Sequence, residues 1–562
     1  MPARRRVPRV RTTVSEPVGL TRTASGHRVP LAAQRARPPT SLGDVFWGWA
    51  SALIVSALAF ALRLWRLERP HDFSFDEVYY AKDAWSMLQF GYVREYVAKA
   101  DEKILDGQTS GIWTEDPTLI VHPEVGKWLI ALGERAFGMD PFGWRIASVV
   151  AGTLMVLVMC RLARRLTGST ALGCIAGLLL CFDGLHLVLS RLALLDIFLA
   201  LFLLCGVHCV VADRQWFRAR LAAAQPDPGT PLNWRPISGT LWRPWLVAAG
   251  VCFGLAVGTK WSALIPLAVF GLLVWVWSAG ARRSFGVRGA LVKSALVDGL
   301  AAFVQLVIVA ALIYLSAWTG WLVNAQEYEQ SRSNTQYSRY DGGEQWPTAT
   351  EPDATGLGEV TQSLRSLAHY HRDVWVFHTQ FLNDSTHSYA SNPRGWLLLN
   401  RPVLADAQVD IPPGEQGCDA PADSDCLRQV LILGTPVLWW GGALALIAAV
   451  GQWLGARDWR FGLCVIAVAA TWLPWFRFAD RPLFSSYAIV TLPFTILAIT
   501  LLIGKLIGPD TSPTPRRTAG VVVAGSFLVL VLVNFAWFWP IWTDVLLTHD
   551  EWAARMWFER WI

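Results

Sequence analysis

The chain has 562 residues, of which 53% are hydrophobic and only 16% are charged, and its mean hydropathy is +0.35. Soluble domains carry about a quarter charged residues, so this composition excludes a disordered chain and argues against an ordinary soluble enzyme. The formal charge of +6 is uneven, because residues 1–40 hold nine Arg and one Glu, a net of +8, which leaves −2 for the rest. A basic tail beside membrane spans more often sets topology than binds nucleic acid. These features together indicate a polytopic membrane protein.

Eleven apolar stretches follow a polar N-terminal segment. Residues 1–44 show no apolar periodicity, and we interpret them as a disordered, basic cytoplasmic tail. A membrane-spanning helix needs about 17–25 apolar residues. Stretches of this kind lie near 45–66, 142–163, 170–188, 192–212, 244–260, 262–279, 294–318, 428–453, 459–478, 484–505 and 519–541. The prediction is an all-α transmembrane domain over residues 45–541, followed over 542–562 by an extracytoplasmic interfacial helix with an aromatic face.

Basic residues predict the orientation of these spans. With the Arg-rich N-terminus in the cytoplasm, the inside connections hold most of the Lys and Arg. The short outside connections hold little more than Arg191, Lys260 and Arg481. Two large segments, about 67–141 and 319–427, then become extracytoplasmic loops. Because the ionisable residues gather at the outer ends of spans and in these loops, we expect the working site to be a cavity at the outer face.

Two cysteines stand apart from the seven that lie in apolar runs. Cys418 and Cys426 flank the polar stretch CDAPADSDC just before an apolar span. A short-loop disulfide in an oxidising compartment is the natural interpretation, and it agrees with an outside location for this loop. The alternative is a pair of unlinked loop thiols.

Two adjacent carboxylates, Asp76 and Glu77, follow the first span. Such a pair at a helix start can supply a general base and a partner that positions it. The alternative is structural, because Ser74-x-x-Glu77 fits a capping box and acidic residues suit a helix N-terminus. From these residues alone, both interpretations stay open.

The segment from His122 to Lys127 predicts the start of an amphipathic helix that runs to about Phe137. Pro123 suits the first position of such a helix. Backbone N–H groups at a helix start can bind an anion, and His122 and Lys127 add donors at the same end. An ordinary surface helix is the alternative.

Other ionisable residues lie near the outer ends of spans. Arg145 opens the second span, where its planar fork of donors would suit a phosphate, although an arginine can also simply snorkel to the interface. Asp183 and Asp196 lie in apolar surroundings, which makes them functional candidates. A structural ion pair between Arg191 and Asp196 is the alternative for the latter.

Four histidines lie in the second outside segment, at His369, His371, His378 and His387. Their spacing matches no strong metal-ligand motif. We therefore predict no metal site, and a divalent cation is compatible with the sequence but not implied by it.

Together these segments resemble the protein O-mannosyltransferases, in particular their shorter bacterial, actinobacterial-like members. The segments that carry the resemblance occur in family order over roughly residues 45–540 and are FDEVYYAKDA, HPEVGKW, GWRI, FDGLHLVLSRLALLDIFLALF, YHRDVWVFH, SNPRGWLLLNRPV and RPLFSSYAIVTLPF. The resemblance implies the GT-C fold with eleven spans. It does not extend to the lumenal β-trefoil domain of the fungal and animal members, for which the segment 319–427 is too short.

The resemblance also implies roles for individual residues. Asp76 matches the catalytic base of the family, Glu77 its acidic neighbour, and Arg145 the arginine that faces the lipid phosphate. His122 and Lys127 lie in the family's HP-x-x-GK segment. Further candidates for binding the donor, in the other quoted segments, are Arg191, Asp196 and Arg481.

The implied reaction transfers mannose from a polyprenyl-phosphate-mannose lipid to Ser or Thr of exported proteins, at the outer face of the cell membrane and with inversion of the anomeric carbon. The lipid donor and the acceptor proteins are the implied partners, and neither a cofactor nor nucleic acid is implied. One alternative is another GT-C transferase of lipid-linked sugars with a lipid or glycan acceptor. The alternative from another class is a multi-span transporter or flippase.

Overall fold

Helices dominate the computed structural model, which describes residues 41–562 apart from 226, 228–229, 238, 335–336, 338–339, 341–344 and 509–513. The predicted disordered tail, up to residue 40, lies outside this described part. The first helices are α1 (Leu42–Leu64), α2 (Glu77–Phe90), α3 (Ala100–Leu105), α4 (Val125–Phe137), α5 (Pro141–Thr167), α6 (Thr170–Cys181), α7 (Gly184–Leu189), α8 (Leu195–Ala223), α9 (Pro244–Val257) and α10 (Leu264–Ser284). The later helices are α11 (Ala290–Ser316), α12 (Thr319–Val323), α13 (Ala325–Arg332), α14 (Leu357–Thr379), α15 (Pro436–Leu454), α16 (Trp459–Trp472), α17 (Leu492–Ile507), α18 (Pro515–Trp542) and α19 (His549–Ala553). The strands are β1 (Arg94–Tyr96), β2 (Trp113–Pro117), β3 (Val403–Ile411), β4 (Cys426–Ile432) and β5 (Leu547–Thr548).

Eight helices in the described part of the chain are long and apolar enough to cross a membrane. They are α1, α5, α8, α10, α11, α15, α16 and α18, with α10 and α16 lengthened by the 3₁₀ turns Trp261–Ala263 and Leu473–Phe478. The shorter apolar helices α6, α9 and α17 lie at the other three predicted spans. The fold is therefore all-α and polytopic in character, and the count of eleven crossings stays a prediction.

Side-chain caps determine where two of the spanning helices begin. Ser41 Oγ accepts the Asp44 N–H at 3.1 Å, so α1 starts at Leu42, slightly before the predicted end of the tail. Asp140 Oδ1 accepts the Gly143 N–H at 2.7 Å, and Pro141 occupies the first turn of α5. Both caps satisfy backbone donors that have no partner inside the helix.

The first predicted outside loop, between α1 and α5, is folded. Helices α2 and α4 pack against each other, and strands β1 and β2 form an antiparallel pair. The Val125 N–H donates to the Gly258 carbonyl at 3.0 Å, which fixes the start of α4 against the turn between α9 and α10. The buried side of α4 carries the charged residues Lys127 and Glu134 together with the apolar Ile130, whereas Leu132 is exposed.

The predicted span at residues 428–453 needs a correction at its start. Residues Cys426–Ile432 form β4, which pairs with β3 and β5 in a three-stranded antiparallel sheet, and α15 begins only at Pro436. The run is apolar because the strand is buried, and a short buried strand and a helix look alike in sequence. The structure joins Cys418 and Cys426, the two cysteines that the sequence pairs, in a disulfide at the start of this strand.

The C-terminal segment differs from the single interfacial helix predicted over residues 542–562. Leu547–Thr548 form β5 beside β4, His549–Ala553 form the five-residue helix α19, and Glu559–Trp561 form a 3₁₀ turn. Trp561 is buried, and its indole N–H donates to the Leu399 carbonyl at 2.8 Å. Contacts of this kind hold the segment against the sheet and the loop before it, so the chain does not continue as one helix.

Candidate active site

A cavity of about 660 Å³ opens between the membrane helices and the folded outside segments. Most of its wall is apolar and comes from α8, α10, α11 and α16. Its polar lining residues include His122, Asp196, Lys260, His371, His378, Arg481 and Tyr487. An apolar wall with a small set of ionisable groups suits a ligand that has a long apolar part and a polar end.

Asp196 and Lys260 form a buried ion pair in the cavity wall. The Lys260 ammonium lies 2.8 Å from Asp196 Oδ2 and 5.2 Å from the centre of the Tyr487 ring. Asp196, predicted as a donor-binding residue, lines the cavity, and its partner is Lys260 and not Arg191. In the sequence, Lys260 is recognisable only as a basic residue of a short outside connection, because its partner lies 64 residues away along the chain.

Asp76 precedes the first turn of α2 and is half-buried. Its side chain makes no capping hydrogen bond within the described part of the chain, and the Tyr80 hydroxyl lies 3.5 Å from its Oδ2. Burial raises the pKa of the Asp76 carboxyl to about 6, Lys260 lowers it in part, and the Asp196 carboxylate raises it again. Asp76 does not itself line the cavity, but the Tyr80 ring lies between it and the cavity residue His122, with the two ring centroids 6.4 Å apart.

Glu77 and Arg145 form a fully buried ion pair that fixes the loop between α1 and α2. The Arg145 Nε and Nη2 atoms lie 2.9 and 2.7 Å from the two carboxylate oxygens of Glu77. Glu77 also accepts the backbone N–H groups of Ser74 and Ala193, at 2.9 and 2.7 Å. The structural interpretation of Glu77 therefore has direct geometric support.

Arg145, which the sequence predicts as a phosphate ligand, donates its hydrogen bonds within the protein. Its remaining donors go to backbone carbonyls, those of Leu67 at 3.2 Å, Pro70 at 2.7 Å and Asp72 at 2.8 Å. Arg145 is completely buried, and it is not among the residues that line the cavity. A guanidinium that already uses its donors in this way has none to offer a phosphate.

Lys127 and Arg191 are also engaged within the protein. The Lys127 ammonium lies 2.8 Å from Asp83 Oδ2, and both side chains are buried. Arg191 Nη1 donates to the carbonyls of Arg63 and Trp65, at 2.9 and 2.5 Å, so it caps the C-terminal end of α1. Neither residue is among those that line the cavity, so a direct role of either in donor binding stays a prediction.

Arg481 is the predicted cation that does reach the cavity. Its Nη1 lies 3.0 Å from His378 Nδ1 and 3.1 Å from the His378 carbonyl. Its buried Nε has no hydrogen-bond partner among the described residues. Arg481 therefore has a donor group that a bound anion can satisfy.

His378 is the residue that orients Arg481. Its Nε2 lies 3.0 Å from the Val121 carbonyl, so we assign the proton to Nε2 and leave Nδ1 to accept from Arg481. Burial and the nearby Arg481 together lower the pKa of His378 to about 4, and the hydrogen bond with the Val121 carbonyl partly opposes both. The ring of His122 stacks on that of His378, with centroids 5.4 Å apart. A neutral His378 thus holds Arg481 and His122 together at the polar end.

The four histidines of the second outside segment do not assemble. His371 and His378 lie on α14 and line the cavity, whereas His369 and His387 are not among its lining residues. The described residues contain no group of three or more His, Cys, Asp or Glu side chains that could hold a metal ion.

Comparison with solved structures identifies the fold. The Pmt1–Pmt2 protein O-mannosyltransferase complex of S. cerevisiae, bound to the sugar donor, matches with a TM-score of 0.64 and 14% identity, over 95% of this chain and 94% of that chain. The archaeal oligosaccharyltransferase AglB of Archaeoglobus fulgidus matches with a TM-score of 0.50 and 13% identity, over 92% and 58% of the two chains. These likenesses show that the chain has the GT-C fold.

Sequence comparison identifies the family. Residues 53–319 match the family profile described as dolichyl-phosphate-mannose–protein mannosyltransferase, and residues 363–561 match the C-terminal four-span region of protein O-mannosyltransferase. A polyprenol-phosphate-mannose–protein mannosyltransferase of Mycolicibacterium smegmatis (strain MKD8) is 35% identical over 93% of this chain and 95% of its own length. One of the same name from Mycobacterium tuberculosis (strain CDC 1551 / Oshkosh) is 31% identical over 92% of both chains. The chain belongs to the protein mannosyltransferase family.

Proposed function

We propose that this protein transfers mannose from polyprenyl-phosphate-mannose to Ser or Thr hydroxyls of exported proteins, at the extracytoplasmic face of the cell membrane. Family membership supports the donor, and its relatives are named for that lipid. The observation that carries the proposal is the juxtaposition of a carboxylate, Asp76, with an apolar cavity whose polar end holds Arg481 and Lys260.

Two parts of the donor lipid suit this cavity. Its prenyl chain would lie along the apolar wall formed by the membrane helices, in contact with residues such as Leu199, Ile265 and Val307. Its phosphate would lie near Arg481 and Lys260, since both cations line the polar end. A buried site strengthens this attraction, because charges act more strongly on each other away from bulk water.

The chemistry requires a base on the acceptor side. A prenyl-phosphate sugar is already activated, so its phosphate can leave without a strong general acid. Asp76 takes the proton of the Ser or Thr hydroxyl as that oxygen attacks the anomeric carbon, and the bond from this carbon to the phosphate oxygen breaks. A single displacement inverts the anomeric carbon, so a β-linked donor gives an α-linked product.

One assay separates this proposal from its alternatives. Membranes that contain the protein would be incubated with radiolabelled polyprenyl-phosphate-mannose and a Ser/Thr peptide, and label in the peptide would be measured. We expect label on the peptide, and β-elimination should release it as mannose. Label on a lipid or glycan instead would indicate another GT-C transferase. Movement of intact donor across the bilayer without transfer would indicate a flippase.

The pH dependence of mannose transfer should follow the ionisation of Asp76. The base must be ionised, and the pKa of its carboxyl is raised to about 6. We therefore expect kcat/KM to be highest above that value and to fall about tenfold for each pH unit well below it. A pH profile of peptide mannosylation at fixed donor concentration would measure this fall at low pH. A rate that stays constant down to pH 4.5 would contradict Asp76 as the titrating base.

Arg481 should determine the affinity for the donor. Arg481→Lys replaces a planar fork by a point charge, so we expect KM for the lipid donor to rise tenfold or more, about 1.4 kcal/mol. Arg477→Lys is the matched control, because Arg477 lies on the same segment and is exposed. Mannose transfer at varied donor concentration would be compared for both variants. An unchanged donor KM in Arg481→Lys would remove Arg481 from the phosphate site.

A further inference from the structure

A continuous row of aromatic rings leads from the cavity to the protein surface. Tyr487 lines the cavity, and the Phe484 ring lies 5.8 Å from it. Phe484 in turn contacts Phe75 and His387 edge-on, with ring centroids 5.4 and 4.9 Å apart. His387 and Phe75 lie 6.2 Å apart and complete the cluster. Because His387 is exposed, the row connects the inside of the site with the outside.

The backbone of this cluster is unusual at the residue next to the base. Phe75 has a φ of 54°, in the left-handed region that non-glycine residues rarely adopt. Strain of this kind persists where the surrounding structure fixes it, and it concentrates at functional sites. Here the Phe75 ring packs against His387 and Phe484, while Asp76, the next residue, contacts Tyr80 on the cavity side.

The geometry of the proposed reaction restricts where the acceptor can enter. In a single displacement the attacking hydroxyl approaches opposite the leaving phosphate, which we place near Arg481 and Lys260. The prenyl chain occupies the apolar wall between the membrane helices. The acceptor must therefore arrive on the side of Asp76, where Phe75 and His387 are the neighbouring aromatic groups.

We propose that Phe75, His387 and Phe484 form an acceptor subsite, in which a peptide lays an apolar side chain beside the Ser or Thr that receives mannose. The subsite rests on the proposed function and deepens it by assigning the acceptor's contacts. Aromatic faces supply rigid contact area for such a side chain. His387 Nδ1 accepts the Tyr389 N–H at 3.1 Å, which leaves Nε2–H to donate to a peptide carbonyl.

Two peptides and two variants test the subsite. The peptides differ in one residue beside a single Ser, Leu in one and Gly in the other. We expect the parent to prefer the Leu peptide about fivefold in kcat/KM. His387→Ala should abolish most of this preference by raising KM for the Leu peptide, while KM for the lipid donor stays unchanged. His387→Phe should retain the preference, because it keeps an aromatic face.

Matched controls make the outcome decisive. His549 is also exposed and also contacts an aromatic ring, that of Trp552 at 5.3 Å, so His549→Ala should leave both peptides unaffected. Phe484→Leu gives a second, more buried test, with protein level checked in the same membranes. A parent that transfers mannose while His387→Ala and Phe484→Leu both keep its Leu preference would overturn the subsite alone. A parent that transfers mannose to neither peptide would overturn the proposed function and the subsite with it.

Discussion

Replacing Asp76 with Asn should lower mannose transfer about 10²–10⁴-fold, the usual effect of losing a general base. The amide has the same shape but cannot take the proton of the acceptor hydroxyl. The fold should tolerate the change, because the side chain of Asp76 does not cap α2 and its one hydrogen bond given by the described residues is the 3.5 Å contact with Tyr80. Transfer to a Ser/Thr peptide would be measured together with protein level and melting temperature in detergent.

Asp72→Asn is the matched control for this variant. Asp72 lies on the same loop, is exposed, and accepts the Phe73 N–H at 2.6 Å. It should keep activity close to that of the parent. Parent-like turnover in Asp76→Asn would remove Asp76 from the role of base, and a large loss in Asp72→Asn would show that the loop is sensitive to any lost carboxylate.

Much of the fold could be predicted from the sequence, because a bilayer demands long apolar runs and each run is visible by itself. The run from residue 428 shows the limit of this reasoning. Its first residues form β4, since β3 and β5 supply strand partners from distant parts of the chain. The C-terminal segment shows the same limit, because Trp561 packs on Leu399 and not in a helix. The hydrophobic periodicity and the hydropathy of a segment do not show which distant segment it will contact.

The candidate site was harder to predict for a similar reason. A sequence motif identifies which ionisable residues are present, but not which residue of opposite charge each one pairs with in the fold. Arg145 and Glu77 are 68 residues apart, and Lys260 and Asp196 are 64 apart. In the structure Arg145 is buried against Glu77, whereas Lys260 lines the cavity. The sequence shows that a histidine stands at position 378, but not that it orients Arg481. That role depends on how α14 packs beside the loop that carries Arg481.

The buried cations in and around the site are of two kinds. Arg145 and Lys127 are buried against carboxylates away from the cavity, so they hold the loop that carries Asp76 and the helix that follows His122. Arg481 reaches the cavity with a donor atom that no described residue satisfies. Substitutions of Arg145 or Lys127 should therefore lower stability and turnover together. Substitutions of Arg481 should instead weaken the binding of the donor.

Arg145→Gln should destabilise the protein strongly. Removing one partner of a buried ion pair leaves the other charge uncompensated, which typically costs about 3–5 kcal/mol. Here Glu77 would lose both hydrogen bonds from the guanidinium, and the carbonyls of Leu67, Pro70 and Asp72 would lose their donor. We expect a lower melting temperature in detergent and a lower kcat, because the displaced loop carries Asp76.

The double variant Glu77→Gln/Arg145→Gln provides the control. Because the two residues contact each other, their effects should be less than additive, and the double variant should melt above the temperature expected from the sum of the single changes. Folded Arg145→Gln enzyme should keep the donor KM of the parent, unlike Arg481→Lys. If instead Arg145→Gln melts like the parent and raises the donor KM tenfold, Arg145 binds the phosphate, and the buried pair with Glu77 must open when the donor enters.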